Sequence, residues 1–425
     1  MEQGRLRFID HLSHEMGMLR LSEVVEITDS SVSVILKGSD PVGLHDHVQL
    51  DLYVDKYEPY KIALVSAKPI LDPNLELPHR ALSDAEISRI MNKFLEQKAA
   101  QDRFSGAVLL ARSEQPFFVK AVGEASRQYH VDNRTDTKFN MGSMNKMLTG
   151  VAIAQLAQAG RLMFEDTVGE HLPEYPNPSV RETVTIHQLL THTSGMSSYW
   201  EELFDTTYWK ISTTEELASV FWEKPLKGES GEQFIYSNSG PVVLGLVIEA
   251  VSGLAYDEYI SKHVTGPARM INTDCYRVDE PTENLAMGYT KLNYDGEPGD
   301  TWKSNIFMHS AKGGPAGGGY STVEDLHRFH LALRSQVLLD RAFTDTVITG
   351  KVPRGPDWSY AYLFGDESRD GWRIVGHSGG APGISAKLDM YWDQGWTVVV
   401  MANRDGVASA VADFAGKLMT HQRTP

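Results

Sequence analysis

Residues Phe139 to Arg161, FNMGSMNKMLTGVAIAQLAQAGR, decide how the rest of the chain reads. Apolar Met144, Met147, Leu148, Val151 and Leu156 recur at helical spacing, which predicts an amphipathic helix. Gly160 supplies its stop. Gly142 and Ser143 stand at its start, and Lys146 follows Ser143 by three positions. Residues three apart share a helix face, so hydroxyl and amine can meet within one turn. A serine hydroxyl is a poor nucleophile until a base takes its proton. A first helical turn adds unpaired N–H groups and a positive dipole end, which favour developing negative charge. Lys146 suits the role of base if burial and nearby cations lower its pKa. The plainer reading makes Ser143 a helix cap and Lys146 a solvated surface residue. The remainder of the chain has to decide between them.

With 425 residues and 41% hydrophobic content, the chain can bury a sizeable core and more than one domain. One cysteine, Cys275, excludes an internal disulfide and any multi-cysteine zinc site, and reads as a small buried hydrophobe. A net charge of −16 argues against a nucleic-acid partner. No apolar run is long enough to span a bilayer, and the charged start MEQGRLRFIDHLSHEMG lacks the apolar core of an export signal. The expectation is a soluble protein, either cytoplasmic or exported with its signal removed.

Residues 1–20 have the apolar spacing of a helix (Leu6, Phe8, Ile9, Leu12). EVVEIT, SVSVILKG, HVQLDLYVD and YKIALVSAKPI then read as strands, giving a small α+β accessory domain over 1–78. His45-Asp46-His47 is better read as a polar strand entry than as a metal pair, since no further ligands stand nearby. After the proline-bearing PILDPNLELPHRAL, a capping box at Ser83–Glu86 opens a helix. FSGAVLLAR and QPFFVKAVGEA form a hairpin. A mostly helical region runs from about 164 to 303, with an aromatic stretch at Trp200, Tyr208, Trp209 and Trp222 that reads as its core. YAYLFG, WRIVGHS, ISAKLDMYW and WTVVVMANR return to strand, and a last helix covers about 406–420. Strands at both ends of residues 79–425 can pair into one antiparallel sheet flanked by helices.

Three short segments carry chemistry. Tyr236-Ser237-Asn238 lies in a loop before PVVLGLVIEAVSG; the phenol could move a proton and the amide hold a carbonyl. His377-Ser378-Gly379-Gly380 follows WRIVG, where glycines let backbone approach a ligand and donate to an oxyanion. A histidine there could orient a substrate carboxylate or assist a proton relay. Gly376 to Gly380 also fits G-x-S-x-G, but that elbow needs a following helix, and ISAKLDMYW alternates like a strand. The glycines of KGGPAGGGY (312–320) lack a phosphate-loop ending and read as a flexible loop beside the site.

S-x-x-K, Y-x-N and H-x-G in this order resemble the serine β-lactamase and penicillin-binding-protein superfamily, class C-like branch. That branch includes β-lactamase-type carboxylesterases, D-aminopeptidases and DD-carboxypeptidases. The resemblance covers roughly 83–420 and extends to HQLLTHTSG, GGGYSTVEDL and GHSGGAPG. It implies Ser143 as acylated nucleophile, Lys146 as base, and Tyr236 as the group passing a proton to the leaving group. Asn238, His377 and Gly379 would contact substrate, with the N–H groups of Ser143 and Gly380 as oxyanion hole. No metal or cofactor is required. Histidine replaces the lysine that many β-lactamases carry in the third motif, which weakens the expectation of β-lactam recognition. The expected activity is hydrolysis of short-chain esters. Alternatives are a D-amino-acid peptidase, a weak β-lactamase, or a penicillin-binding protein that acylates and hardly turns over.

Overall fold

The computed structural model describes residues 19–38, 47–54, 62–70, 77–199, 210–293 and 297–425. The chain divides into two compact units, 1–104 with 409–424, and 105–408 with Pro425.

In the first unit, β1 (Leu19–Ile27), β2 (Ser31–Gly38), β3 (His47–Val54) and β4 (Ile62–Ile70) pair in sequence order, each antiparallel to the next. This is the expected meander. The helix expected over 1–20 lies outside the described residues, apart from its last two, which already belong to β1. His45 and Asp46 also lie outside them. The helix α1 (Asp84–Ala100) starts at the expected box: Ser83 caps the Glu86 N–H, and the Glu86 carboxylate accepts from the Ser83 N–H. It buries Ile87, Met91 and Leu95, spaced by four.

The second unit is built on an eight-stranded sheet. The hairpin β5 (Gly106–Arg112) and β6 (Pro116–Val122) comes early in the chain. Between it and the late strands run the helices α2 (Asn145–Gln158), α3 (Ser239–Ser252) and α4 (Val323–Arg334). The late strands are β7 (Val352–Pro353), β8 (Trp358–Tyr360), β9 (Gly365–Arg369), β10 (Trp372–Ala381), β11 (Ile384–Tyr391) and β12 (Trp396–Ala402). The sheet order is β7-β8-β9-β10-β11-β12-β5-β6, with every pair antiparallel. The expected closure of early on late strands is thus the β12–β5 seam. Gly106 sits in it because a Cβ there would lie 2.1 Å from the Met401 carbonyl oxygen.

Three expectations need correcting. The helix α2 is not amphipathic: Asn145 to Ala154 are buried without a break, as in a helix surrounded by core on every side. YAYLFG is not one strand; β8 ends at Tyr360 and the chain turns through Leu363, whose φ is 61°, before β9. The helical region does not reach 303, because Tyr289–Leu292 and Pro298–Ser304 form an antiparallel pair. Other stops hold: Gly160 and Gly253, at φ 66° and 77°, follow α2 and α3 in the left-handed conformation that glycine adopts without penalty. The final helix, α5 (Ala408–Thr420), returns the chain to the first unit, where Phe414 packs against Phe94 with ring centroids 4.4 Å apart. Trp200, Tyr208 and Trp209 lie outside the described residues, while Trp222 packs against the core. Among the described residues no single helix is long and apolar enough to cross a membrane.

The β12–β5 seam makes a direct prediction. Gly106→Val forces a branched side chain against the Met401 carbonyl, and overpacking of this kind costs about 1–3 kcal/mol or more. The urea midpoint should fall accordingly; an unchanged midpoint would mean the seam is not tight.

Candidate active site

The turn that starts α2 is a 3-10 turn, Gly142–Met144, and not the first turn of the α-helix itself. Gly142 adopts φ 50°, and its N–H donates to the Asn140 side-chain oxygen at 2.9 Å. Two segments press on this turn. A Cβ on Gly379 of β10 would lie 1.9 Å from the Met141 oxygen and 3.1 Å from the Ser143 nitrogen. A Cβ on Gly142 would lie 2.9 Å from the Gly380 nitrogen. Bare backbone at Gly142 and Gly379 therefore lets the amides of Ser143 and Gly380 converge. Gly379 itself is buried against the turn, so its expected substrate contact gives way to a spacing role.

The second segment is the glycine loop. Asn145 Nδ2 donates to Gly314 O at 2.9 Å, and Thr149 Oγ1 to Pro315 O at 2.8 Å. A Cβ on Gly313 would fall 2.5 Å from the Gly319 nitrogen. These glycines serve close approach, and the expectation of a loosely held loop is replaced by one bonded to α2.

Lys146 is fully buried. Its Nζ lies 3.0 Å from Ser143 Oγ, 2.7 Å from Asn238 Oδ1 and 2.6 Å from Ala316 O. Burial pulls its pKa down to about 7. Relative to an ordinary lysine that is on the order of 5 kcal/mol against the charged form. The neutral amine has two N–H groups and one lone pair. Asn238 Oδ1 and Ala316 O can only accept, so they take both N–H groups. The lone pair is left facing the Ser143 hydroxyl, which is the geometry of a general base. The Asn238 orientation is fixed in turn by its Nδ2, which donates to Ser198 Oγ at 3.1 Å.

The Tyr236 ring centroid is 5.2 Å from Lys146 Nζ, and its hydroxyl bonds with Ser143. Burial raises its pKa to about 12, partly offset by that bond. The phenol keeps its proton at neutral pH, so Tyr236 is poised as a proton donor. His377 also departs from expectation. Burial first, then Lys146, depress its pKa to about 3. A neutral imidazole cannot attract a substrate carboxylate by charge.

Two cavities meet at Ser143 and Gly380. The larger, about 610 Å³, has walls of Phe234, Tyr236, Trp358 and Tyr360, with His377 and Ser378 along β10. The smaller, about 220 Å³, is lined by Tyr199, Asn238, His309, Ala316 and Ile384, among others. Ser378 lies inside a strand that pairs on both sides, so no nucleophile elbow exists there. Cys275 is buried, with its thiol pKa pushed up by burial. Among the described residues no group of three or more His, Cys, Asp or Glu is placed to hold a metal.

The Beta-lactamase family model matches residues 91–418. The chain belongs to the β-lactamase family. It is 28% identical to penicillin-binding protein 4* of Bacillus subtilis (strain 168) over 334 residues, covering 74% of this chain and 71% of that protein. The solved penicillin binding protein from Bacillus halodurans is 32% identical, with a TM-score of 0.70, covering 76% of this chain and 98% of that one. The octameric penicillin-binding protein homologue from Pyrococcus abyssi is 25% identical at a TM-score of 0.68, covering 79% and 78%. This β-lactamase-family chain is a serine hydrolase. Sequence reasoning brought together Ser143, Lys146, Tyr236, Asn238, His377 and Gly380, and the fold places all six around one centre. It missed Ala316, which contributes only a backbone oxygen, and Tyr360, which read merely as a strand residue.

The amine geometry sets the pH response. A base that works as the free Lys146 amine predicts that kcat/KM rises with pH through about 7. Lys146→Arg cannot supply a neutral base and should lose about a thousandfold or more. An acid limb near the ordinary lysine value would contradict the assignment. Gly379→Ala should lose activity with the oxyanion pair, because its Cβ would drive the turn from β10; crystallographic displacement of the turn is the direct readout.

Proposed function

We propose that the protein is a carboxylesterase that cleaves short-chain esters through a Ser143 acyl-enzyme. Ser143 Oγ attacks the ester carbonyl carbon as its proton passes to Lys146 Nζ. The N–H groups of Ser143 and Gly380 hold the oxyanion; such a donor is worth about 3–4 kcal/mol where it has been removed in other enzymes. Collapse breaks the acyl–oxygen bond, and the Tyr236 hydroxyl, recharged from Lys146, protonates the departing alkoxide. Water then attacks the acyl-enzyme by the reverse proton path.

The observation that carries this reading is the buried Lys146 Nζ 3.0 Å from Ser143 Oγ. The preference for esters of small acids draws on two others. The cavity of about 220 Å³ on the Asn238 side is the smaller of the two that meet at Ser143, and we assign it to the acyl group. The third motif offers a neutral histidine where a carboxylate-bearing substrate would call for a cation. Amide cleavage would use the same residues and differ only in the leaving group.

Hydrolysis of p-nitrophenyl esters from acetate to octanoate, by the parent and Ser143→Ala, tests the proposal. Turnover should be best at the short end and fall by about a thousandfold or more in the variant. Turnover surviving in Ser143→Ala would overturn the nucleophile. An optimum at octanoate would overturn the acyl-side assignment. Faster cleavage of D-amino-acid amides than of any ester would replace the esterase reading with the amidase one.

A further inference from the structure

Behind Tyr236 the structure holds a chain of hydrogen bonds that the acyl-transfer chemistry leaves unused. Ser237 N–H donates to His192 Nδ1 at 3.3 Å. His192 Nε2 lies 3.0 Å from the Tyr360 hydroxyl, and that hydroxyl lies 3.0 Å from His377 Nε2. His377 Nδ1 lies 2.5 Å from the Ser378 carbonyl oxygen. His192 is buried, and its backbone adopts φ 57°, uncommon for a side-chain-bearing residue.

The two ends of this chain fix its direction. A backbone N–H can only donate, so His192 Nδ1 carries the lone pair and its proton sits on Nε2. A backbone carbonyl can only accept, so His377 Nδ1 carries the proton and its lone pair sits on Nε2. Tyr360 stands between a donor on one side and an acceptor on the other. Its single hydroxyl proton goes to His377, while its oxygen accepts from His192. Every site is satisfied once, and only with both imidazoles neutral. A proton added to His377 Nε2 would face the Tyr360 proton, with no second acceptor in the chain to take it.

We propose that Tyr360 is a positioning residue that locks His192 and His377 in opposite neutral tautomers, and that this lock makes the larger cavity select uncharged leaving groups. His377 lines that cavity beside Phe234, Trp358 and Tyr360. The charged groups around it reinforce the effect. Lys146 on α2 and Lys387 on β11 both oppose a charge on His377. Lys387 Nζ is 3.2 Å from Asp389 Oδ1, so its own charge is met within β11. Glu367 on β9 lines the same cavity and lies 3.0 Å from Arg369. His192 also seats Tyr236, with ring centroids 4.4 Å apart, so the lock bears on the proton donor as well.

The tautomer half of the proposal is independent of turnover, whereas the selectivity half rests on the acyl-transfer reading. Long-range proton–nitrogen spectra of the histidine-labelled parent protein, assigned with His377→Gln, read the first. His377 should show a protonated Nδ1 and a bare Nε2, and should not titrate between about pH 5 and 8. Tyr360→Phe removes the donated proton without changing shape, so His377 should titrate at a higher pH than in the parent, and an unchanged titration would overturn the lock. The second half is read from kcat/KM for two aryl acetates, 4-acetoxybenzoate and its methyl ester, at about pH 6. The parent should favour the uncharged ester by about tenfold or more, and Tyr360→Phe should narrow that ratio severalfold as His377 gains charge. A parent His377 protonated on Nε2, or titrating near 6.5, would overturn the lock even if esters are cleaved. An unchanged ratio in Tyr360→Phe, with His377 titrating, would overturn the selectivity. Loss of Ser143-dependent turnover with the expected spectra would fault the esterase reading and leave the lock standing.

Discussion

An amine whose charge is disfavoured in a dry setting governs the architecture of this protein. Lys146 is removed from water on all sides, so its proton is held loosely, and its remaining lone pair has one place to point. That arrangement needs two acceptors that cannot donate, one on the Y-x-N loop and one on the glycine loop. It also needs a helix that can be buried along its whole circumference. The small and apolar residues of α2, from Gly150 through Ala154, permit this close burial. A more amphipathic helix would have left the amine on a wetted face, protonated and inert as a base.

Glycine does similar work elsewhere in the site. At Gly379 and Gly142 the missing Cβ lets a strand and a turn touch backbone to backbone, which brings two amides together. In the 313–319 loop it lets a tight turn pass beneath α2, presenting the Ala316 oxygen to the amine. In both places the chain gives up side chains to gain positioned peptide groups. The Tyr360 chain follows the same logic, with backbone groups at each end setting the protonation of two histidines between them.

The catalytic elements were legible because they carry local signatures. Three-residue spacing on a helix places Ser143 and Lys146 together whatever the rest of the fold does. The capping box at Ser83, the left-handed glycines after α2 and α3, and the alternating late strands are local in the same sense. Where the reading failed, the cause was tertiary. Apolar spacing in α2 satisfies the helical period, yet that period does not reveal whether the opposite face is also buried. In YAYLFG the residues favour a strand throughout, but a turn at Leu363 intervenes. Glycines in a row read as flexibility, while the fold uses them for contact.

By itself, the sequence determined most of the strands and helices, the three-residue spacing of Ser143 and Lys146, and membership of a serine-hydrolase family. These follow from spacings of a few residues and from side-chain chemistry that does not depend on distant partners. Only the tertiary structure decided the protonation states on which the chemistry turns. Burial lowers the Lys146 pKa to about 7, with Asn238 and Ala316 accepting from its amine from 92 and 170 positions away. His377 is neutral because burial and Lys146 disfavour its charge, while Tyr360 supplies its hydrogen-bond partner. Charge in a protein interior is set by what surrounds a group, and those surroundings exist only once the chain has folded.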